Sequence, residues 1–418
     1  MKNRQPFNLS LFLARRMRSD SIRKITVSSQ IIKIATIAVA LGMITMVLSV
    51  AFSRGLQEEI HRKMSAFYGD LEVSPFENGS AQYSSIPFRW TPELKSLWEE
   101  TPGLKNPYPF IKKAGVLKHQ SLFEGALFVG IDKSYPPEAV MSFAFEGRFV
   151  DPDVKGPTEI VLSATLARRL QLKIGDQFRA YFIDDQTTSE IPKSRRLQLV
   201  GTYQSGFPDI DSNLVLTSLG LLQGLNRWEP NQVGGITSFV DPKENITQLA
   251  DGLYRQLPSE LDVHLLKQRF SSLYQWMALF DFNTWIIIGV MLIVGIVNIA
   301  TALLVLILER SKMVGLLKSL GAPPSTIQKI FLWNGLLVMG RGLLWGNLLA
   351  AGGYLVQKYA GVIRLDPATY FVEVAPVRLE LWDLILLNVF VVAVSALCLW
   401  IPVKIVSKIT PAQVLKYA

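Results

Sequence analysis

Hydrophobic residues in this chain come in blocks, not in the one-sided patterns of a soluble fold. Residues 34–52, 283–308 and 384–403 carry no charge, and residues 330–356 carry only Arg341. A helix needs about 20 apolar residues to cross a hydrocarbon core about 30 Å thick. The pattern therefore predicts four spans, at 31–53, 283–308, 330–356 and 384–403. Residues 54–282 read differently, as short alternating and helical segments. The expected fold class is a membrane α-helical protein with four transmembrane helices and a large α+β extracytoplasmic domain inserted between helices 1 and 2.

Within the insert, residues 55–68 have helical spacing and continue the first span outward. Residues 71–73 read as a strand, 92–100 as a helix, and 236–240, 245–257 and 261–266 as strand, helix, strand. These flanks, 54–113 and 226–275, suggest one α/β layer. Between them, 114–225 is dominated by alternation (GVLKH, ALFVGI, EIVLS, QFRAYFI, RLQLVGTY, NLVLT) and reads as a β-rich subdomain with a short helix at 164–170. Residues 183–196, IDDQTTSEIPKSRR, fall between two strand-like runs and suggest a projecting hairpin, either a plain exposed loop or a partner-binding one.

Charge orients the chain. Eight basic residues precede the charge-free block at 34–52 against the single acid Asp20, the 309–329 loop carries Arg310, Lys312, Lys318 and Lys329, and the 404–418 tail carries Lys404, Lys408 and Lys416. Cytoplasmic segments are the ones enriched in Lys and Arg, so these three are expected inside, with a short 357–383 loop outside. The net charge of +9 then reads as topology and contact with anionic membrane lipids; no basic-aromatic stripe points to nucleic acid. Residues 1–30 are expected to hold an amphipathic helix on the inner surface, at 7–17, and not a cleaved signal peptide. The lone cysteine, Cys398, lies in the fourth span, so the insert must rely on a hydrophobic core instead of disulfides.

Chemistry-bearing motifs are scarce. The three histidines, His61, His119 and His264, lack metal-ligand spacing with one another. Asp209, Asp211 and Asn213 mimic the start of a calcium loop, but Leu214 replaces the turn glycine and Gly220 the bidentate Glu. The G-x-x-x-x-G-K-[ST] that cradles nucleotide phosphates is missing. The expectation is a non-enzyme that needs no metal or cofactor of its own.

Residues 309–322, ERSKMVGLLKSLGA, follow the second span. Met313, Leu316, Leu317 and Leu320 recur at helical spacing, and Gly321 with two prolines stops the helix. Such a helix is either a handle for a soluble partner or one lying at the interface. Val47, Phe52, Phe280, Trp285, Ile288, Met291, Tyr370 and Phe371 are candidates to line an apolar, laterally open cavity, or to anchor at the interface. Arg341, near the middle of the third span, reads as a functional charge, partnered by Asn298 or a carbonyl, or as a residue that snorkels.

The motif E-R-x-x-x-x-G-L-L-K-S-L-G-A between spans two and three resembles the coupling segment of the FtsX/MacB-type ABC transporter permeases. LFLARR at 11–16, EIVLSATLARRLQLKIGDQF at 159–178 and TPAQVLKYA at 410–418 agree, and LDPATYFVEVAPV at 365–377 is most similar to the LolC/LolE lipoprotein-releasing permeases.

That resemblance implies a transport subunit, working in a homo- or heterodimer with a second permease. A cytoplasmic ABC ATPase dimer, which itself binds ATP and Mg, would drive the pair through Glu309, Arg310, Lys312, Met313, Leu316, Leu317, Lys318, Leu320 and Gly321. It implies a porter layer beside a β-rich layer in the outer domain, and triacylated lipoprotein cargo moved from the inner membrane to a periplasmic lipoprotein carrier. The carrier would be gripped by a hairpin for which Pro192, Arg195 and Arg196 are the matching residues. A MacB-like efflux permease and an FtsX-like signalling scaffold are the competing readings. The first usually carries its ATPase in the same chain, and the second usually has a much smaller outer domain.

Overall fold

The computed structural model describes residues 27–76, 83–152, 158–182 and 192–406. The N-terminal segment, the C-terminal motif and the hairpin tip at 183–191 thus lie outside the described residues. Two compact units emerge: a helical unit drawn from residues up to 57, 276–364 and 374 onward, and a sheet unit of 58–275 and 365–373.

In chain order the elements are α1 (Val27–Tyr68), β1 (Leu71–Pro75), β2 (Phe88–Arg89), α2 (Pro92–Glu100), β3 (Leu104–His119), β4 (Leu122–Ile131), α3 (Pro137–Met141), β5 (Glu146–Gly147), β6 (Thr158–Ser163), α4 (Ala164–Arg169), β7 (Gln177–Phe182) and β8 (Lys193–Tyr203). They continue as α5 (Pro208–Asn213), β9 (Leu214–Ser218), α6 (Leu219–Asn226), β10 (Gln232–Val233), β11 (Gly235–Val240), α7 (Ile246–Tyr254), β12 (Leu261–Leu265), α8 (Leu266–Arg269), α9 (Ser271–Glu309), α10 (Ser311–Ser319), α11 (Pro324–Ala360), α12 (Pro367–Tyr370) and α13 (Leu381–Val406).

Four helices, α1, α9, α11 and α13, are long and apolar enough to cross a membrane. The first span continues outward through residues 55–68, as their helical spacing leads one to expect, so that α1 runs 42 residues; α9 runs 39 and begins at Ser271, before the expected start of the second span at 283. Length beyond the bilayer requirement carries each helix into the sheet unit. Met43, Ile299, Phe331 and Leu399 are buried at the centre of the helical unit. Lipid tails are as apolar as leucine, so close packing of small residues holds such helices together. At Gly342 and Gly346 an added Cβ would sit 2.6 Å from Val39 and Met43 of α1, which is why the backbones meet there.

Several polar side chains in this unit find partners within it. Thr36, Thr45 and Thr301 donate to carbonyls four residues back. Ser53 and Gln57 donate to Asp281, and Arg54 pairs with Asp383 at 2.8 Å. Gln357, 6% exposed, donates to the carbonyls of Ile363 and Ala375 and accepts from the Ile363 amide. That clamp folds the chain back after α11, whose end is marked by Gly361 at φ +57°.

In the sheet unit, β12, β1, β11 and β3 form an antiparallel layer, and β3, β4, β9, β6, β8 and β7 pair in a closed circuit. The 16-residue β3 makes both possible. Its first part pairs with β11, its last part with β7, and its second half with β4. The boundary expected at 113/114 therefore falls inside one strand, and the two layers share a continuous sheet. Their hydrophobic core is likewise continuous, running from Trp98 and Ile236 to Phe128, Phe182 and Leu199. Thr91 caps α2, and Ser163 caps α4 by accepting from Leu166 N.

Candidate functional site

The loop between α9 and α11 folds into α10, and its sequence explains both ends. Gly321, at φ +84°, takes the left-handed conformation that a residue with a Cβ resists. Its amide donates to Lys318, and the Ala322 amide donates to Leu317, the pair of bonds that closes a Schellman turn. Pro323 and Pro324 follow. The apolar stripe read from the sequence divides here. Met313 and Leu317 pack on the helical-unit core beside buried Val314, whereas Leu316 and Leu320 are 62% and 75% exposed. Lys312 and Ser319 share the open face, with Glu309 exposed just before the helix. Leu317 thus faces the helical core, while Leu316 and Leu320 face outward. The inward role of Val314 and Gly315 was not recognised from the sequence. Arg310 precedes α10 with its Nε buried and unbonded among the described residues.

The second candidate lies on the closed circuit of strands. β7 and β8 pair antiparallel from Gln177↔Gln198 to Phe182↔Lys193, so residues flanking the tip form the arms of a hairpin. Pro192, Arg195 and Arg196 are all exposed. Successive strand residues face opposite ways, so Arg195 and Arg196 serve different faces. Arg196 stands directly across from Arg179, and Arg179 across from Lys118 on β3. Lys118 in turn opposes Phe123 of β4 and lies 4.9 Å from its ring centroid. Three cations thus stand in a row, with no acidic partner for Arg179 or Arg196 among the described residues. Like charges directly opposite one another destabilise a sheet. Lys118 and Arg179 were missed because only strand register brings them beside Arg196.

The membrane-facing candidates separate by burial. Val47 and Ile288 are 1% and 4% exposed inside the helical core, which leaves them no surface for an open cavity. Met291 lines a small void of about 20 Å³ with Gly42, Met46 and Ser395. Phe52 and Phe280 meet edge to face at 6.4 Å, and Trp285, 64% exposed, meets Phe390 in a T-shaped contact at 6.3 Å. Phe371, in the sheet unit, stacks on Phe207 at 4.6 Å, and its carbonyl accepts from Lys63. Lys63 donates to Ser205 as well, and burial lowers its pKa. Tyr370, in α12, is half-buried beside it. These contacts dock the 365–373 loop.

Asp211 accepts from Gln204, Ser205 and the Gly206 amide. Its carboxylate is thereby committed to a loop. Arg341 is exposed on α11, and no hydrogen bond joins it to Asn298 or to any other described residue.

A family model described as the MacB-like periplasmic core domain matches residues 34–255, and one described as the FtsX-like permease C-terminal matches 285–411. The chain is 22% identical over 402 residues to the lipoprotein-releasing system transmembrane protein LolE of Haemophilus influenzae, covering 92% of this chain and 94% of that one. It is 22% identical over 404 residues to the LolC protein of Neisseria meningitidis, covering 93% and 94%. Among solved structures, the periplasmic region of MacB from Actinobacillus actinomycetemcomitans covers 49% of this chain and 92% of its own, at 12% identity and a TM-score of 0.35, a likeness too slight to build on.

Proposed function

Because the chain belongs to the FtsX/MacB-type ABC transporter permeases, with a MacB-like periplasmic core domain and an FtsX-like C-terminal part, we propose that it is the membrane subunit of a lipoprotein-releasing exporter. The observation that carries this reading is end-to-end similarity to LolC and LolE proteins, over more than nine-tenths of both chains. The four apolar helices agree with residence in the inner membrane.

In this reading a separate ATPase dimer binds ATP and seats against Leu316 and Leu320 of α10. Because Met313, Val314 and Leu317 fix α10 to the helical core, a push on its open face is felt by the bundle. The unbroken helices α1 and α9 then carry displacement along their length. A triacylated lipoprotein leaves the membrane past outward aromatic residues such as Trp285 and passes to a soluble carrier. The Lys118–Arg179–Arg196 row gives that carrier an electropositive surface to meet, complementary to an acidic one. Such a surface raises the rate of encounter more than the depth of binding.

The experiment is reconstitution of the chain with its ATPase and second permease in proteoliposomes loaded with a triacylated lipoprotein. ATP-dependent transfer of the lipoprotein to the carrier is expected. ATP hydrolysis without transfer would sink the reading.

A further inference from the structure

The sheet unit also holds a groove of about 700 Å³ between α2, β2 and the residues that lead into β12. Ligand pockets occupy about 300–1,000 Å³, so it is large enough to take one. Its floor is apolar. Leu261 is buried, and Phe88, Leu94 and Leu97 lie on the hydrophobic core with part of each side chain still uncovered. The sequence of α2 explains why. Leu94, Leu97 and Trp98 recur at helical spacing, and Trp98 takes the inward position, 2% exposed, with its indole N–H donating to Ser238. The two leucines beside it are left to line the groove.

The rim is acidic. Glu93 and Glu100 line it from α2, and Glu260 lines it from the segment before β12, all three exposed. Arg89, the one basic side chain lining it among the described residues, is paired with Glu229 at 3.2 Å and offsets none of them. Glu100 and Glu260 have no ion-pair partner among the described residues. The Thr91 hydroxyl bonds the Glu93 carboxylate and holds it below the usual range, so this group is ionised. Glu100 sits where α2 least favours it. The last turn of α2 holds no basic residue, and a helix C-terminus carries partial negative charge that favours a cation. A cation supplied from outside would therefore offset both the side chain and the helix end. Glu93 and Glu100 are seven residues apart on α2, about 10 Å along its axis, with Leu94 and Leu97 between them.

We propose that this groove binds a dibasic peptide segment of another protein, in extended form, with an apolar residue between its two Lys or Arg residues. Alternate residues of an extended chain share a face, at about 3.3 Å per residue. A Lys-x-apolar-x-Lys stretch thus presents its cations about 13 Å apart, and flexible lysine stems reach back over the difference. The cations meet Glu93 and Glu100, and the apolar side chain lies on Leu94 and Leu97. A segment of opposite charge is repelled by all three carboxylates. This binding depends neither on the ATPase nor on lipoprotein release.

The full chain is placed in nanodiscs of uncharged phosphatidylcholine and titrated into the peptide Gly-Lys-Ser-Leu-Ser-Lys-Gly labelled with tetramethylrhodamine, and binding is read by fluorescence anisotropy. Saturable binding is expected, weakened by added salt and lost when both lysines become Glu or the leucine becomes Ser. The double variant Glu93→Gln, Glu100→Gln changes two exposed side chains and should weaken binding at least about threefold, the scale of two exposed ion pairs. Ser96→Trp, at an exposed position lining the groove, fills it and should abolish binding. Absence of saturable binding overturns the proposal, as does equal affinity for either control peptide or affinity indifferent to the double variant or to Ser96→Trp. A photoreactive benzoylphenylalanine at Ser96, activated in the native membrane, should form an adduct with a basic stretch of a different protein. An adduct with a second copy of this chain would give the groove another occupant and overturn the proposal as well.

Discussion

Asn347 of α11 and Asn388 of α13 bond to each other twice, each amide nitrogen donating to the other's oxygen at 2.8 and 3.1 Å. Both also donate to a carbonyl four residues back in their own helices, so each amide nitrogen makes two hydrogen bonds. Replacing either with Leu strands its partner's amide. Polar pairs between membrane helices contribute about 0.6 kcal/mol on average and up to about 1.7. Asn347→Leu and Asn388→Leu should each lower stability by an amount in that range, and the double variant should lose less than the sum. Unfolding of the detergent-solubilised chain by graded sodium dodecyl sulfate measures this. Additive losses would show that the pair is not coupled.

The divided stripe on α10 separates two outcomes that the sequence merges. Leu316→Asp places a charge on an exposed position and should leave the chain folded but weaken ATPase co-purification. Leu317→Asp buries a charge against the helical core and should reduce the amount of folded protein in the membrane. If both variants lost the ATPase with folding intact, the assignment of faces would be wrong.

The row of cations on β3, β7 and β8 predicts opposite effects on stability and binding. Arg179→Thr relieves two like-charge neighbours and should stabilise the sheet unit by about 0.2–1 kcal/mol. The same change should slow association with an acidic carrier, with a diminished effect at high salt. Arg195→Thr, on the other face, should change the association rate much less. Stopped-flow mixing at two ionic strengths distinguishes these cases.

Glu72 is buried in β1 and bonds to Lys112 at 2.8 Å and Arg269 at 2.7 Å. Burial acts to raise its pKa, but the charges of Lys112 and Arg269 outweigh that and hold it below the usual carboxylate range. Burial lowers Lys112 to about 8 against the pull of Glu72. Glu72 therefore adds stability above the ordinary carboxylate pKa, near about 4.3, and that stability is lost as pH falls through its lower folded value. For Lys112 the unfolded chain binds more protons between about pH 8 and 10.4, so stability rises with pH across that window. Lys112→Met should flatten this alkaline rise in the unfolding midpoint followed by tryptophan fluorescence. A rise unchanged by the substitution would assign it to another group.

Much of the fold is legible in the residue pattern because it is local. The charge-free blocks mark the membrane helices, and alternation marks strands such as β6 and β11. Thr91 followed by Pro92, and Ser163 before 164–169, mark helix starts. What stays hidden is non-local. That β7 closes a circuit by pairing with both β3 and β8 cannot be read from QFRAYF. The start of α9 at Ser271, before residue 283, is hidden because hydropathy marks where a bilayer begins, while backbone hydrogen bonding runs past it. For the candidate site, the α10 motif is visible in sequence, but Leu316 and Leu317 look alike until the core chooses one. The cation row is three unremarkable surface residues until strand register aligns them.

The strand β12 ends the sheet, and its outward amides are already taken: Leu261 donates to the Pro258 carbonyl, Val263 to the Asp262 carboxylate, and Leu265 to Gln268. A free edge of this kind templates pairing with other chains. With these three amides already bonded, the rim has few donors left for an incoming strand to pair with.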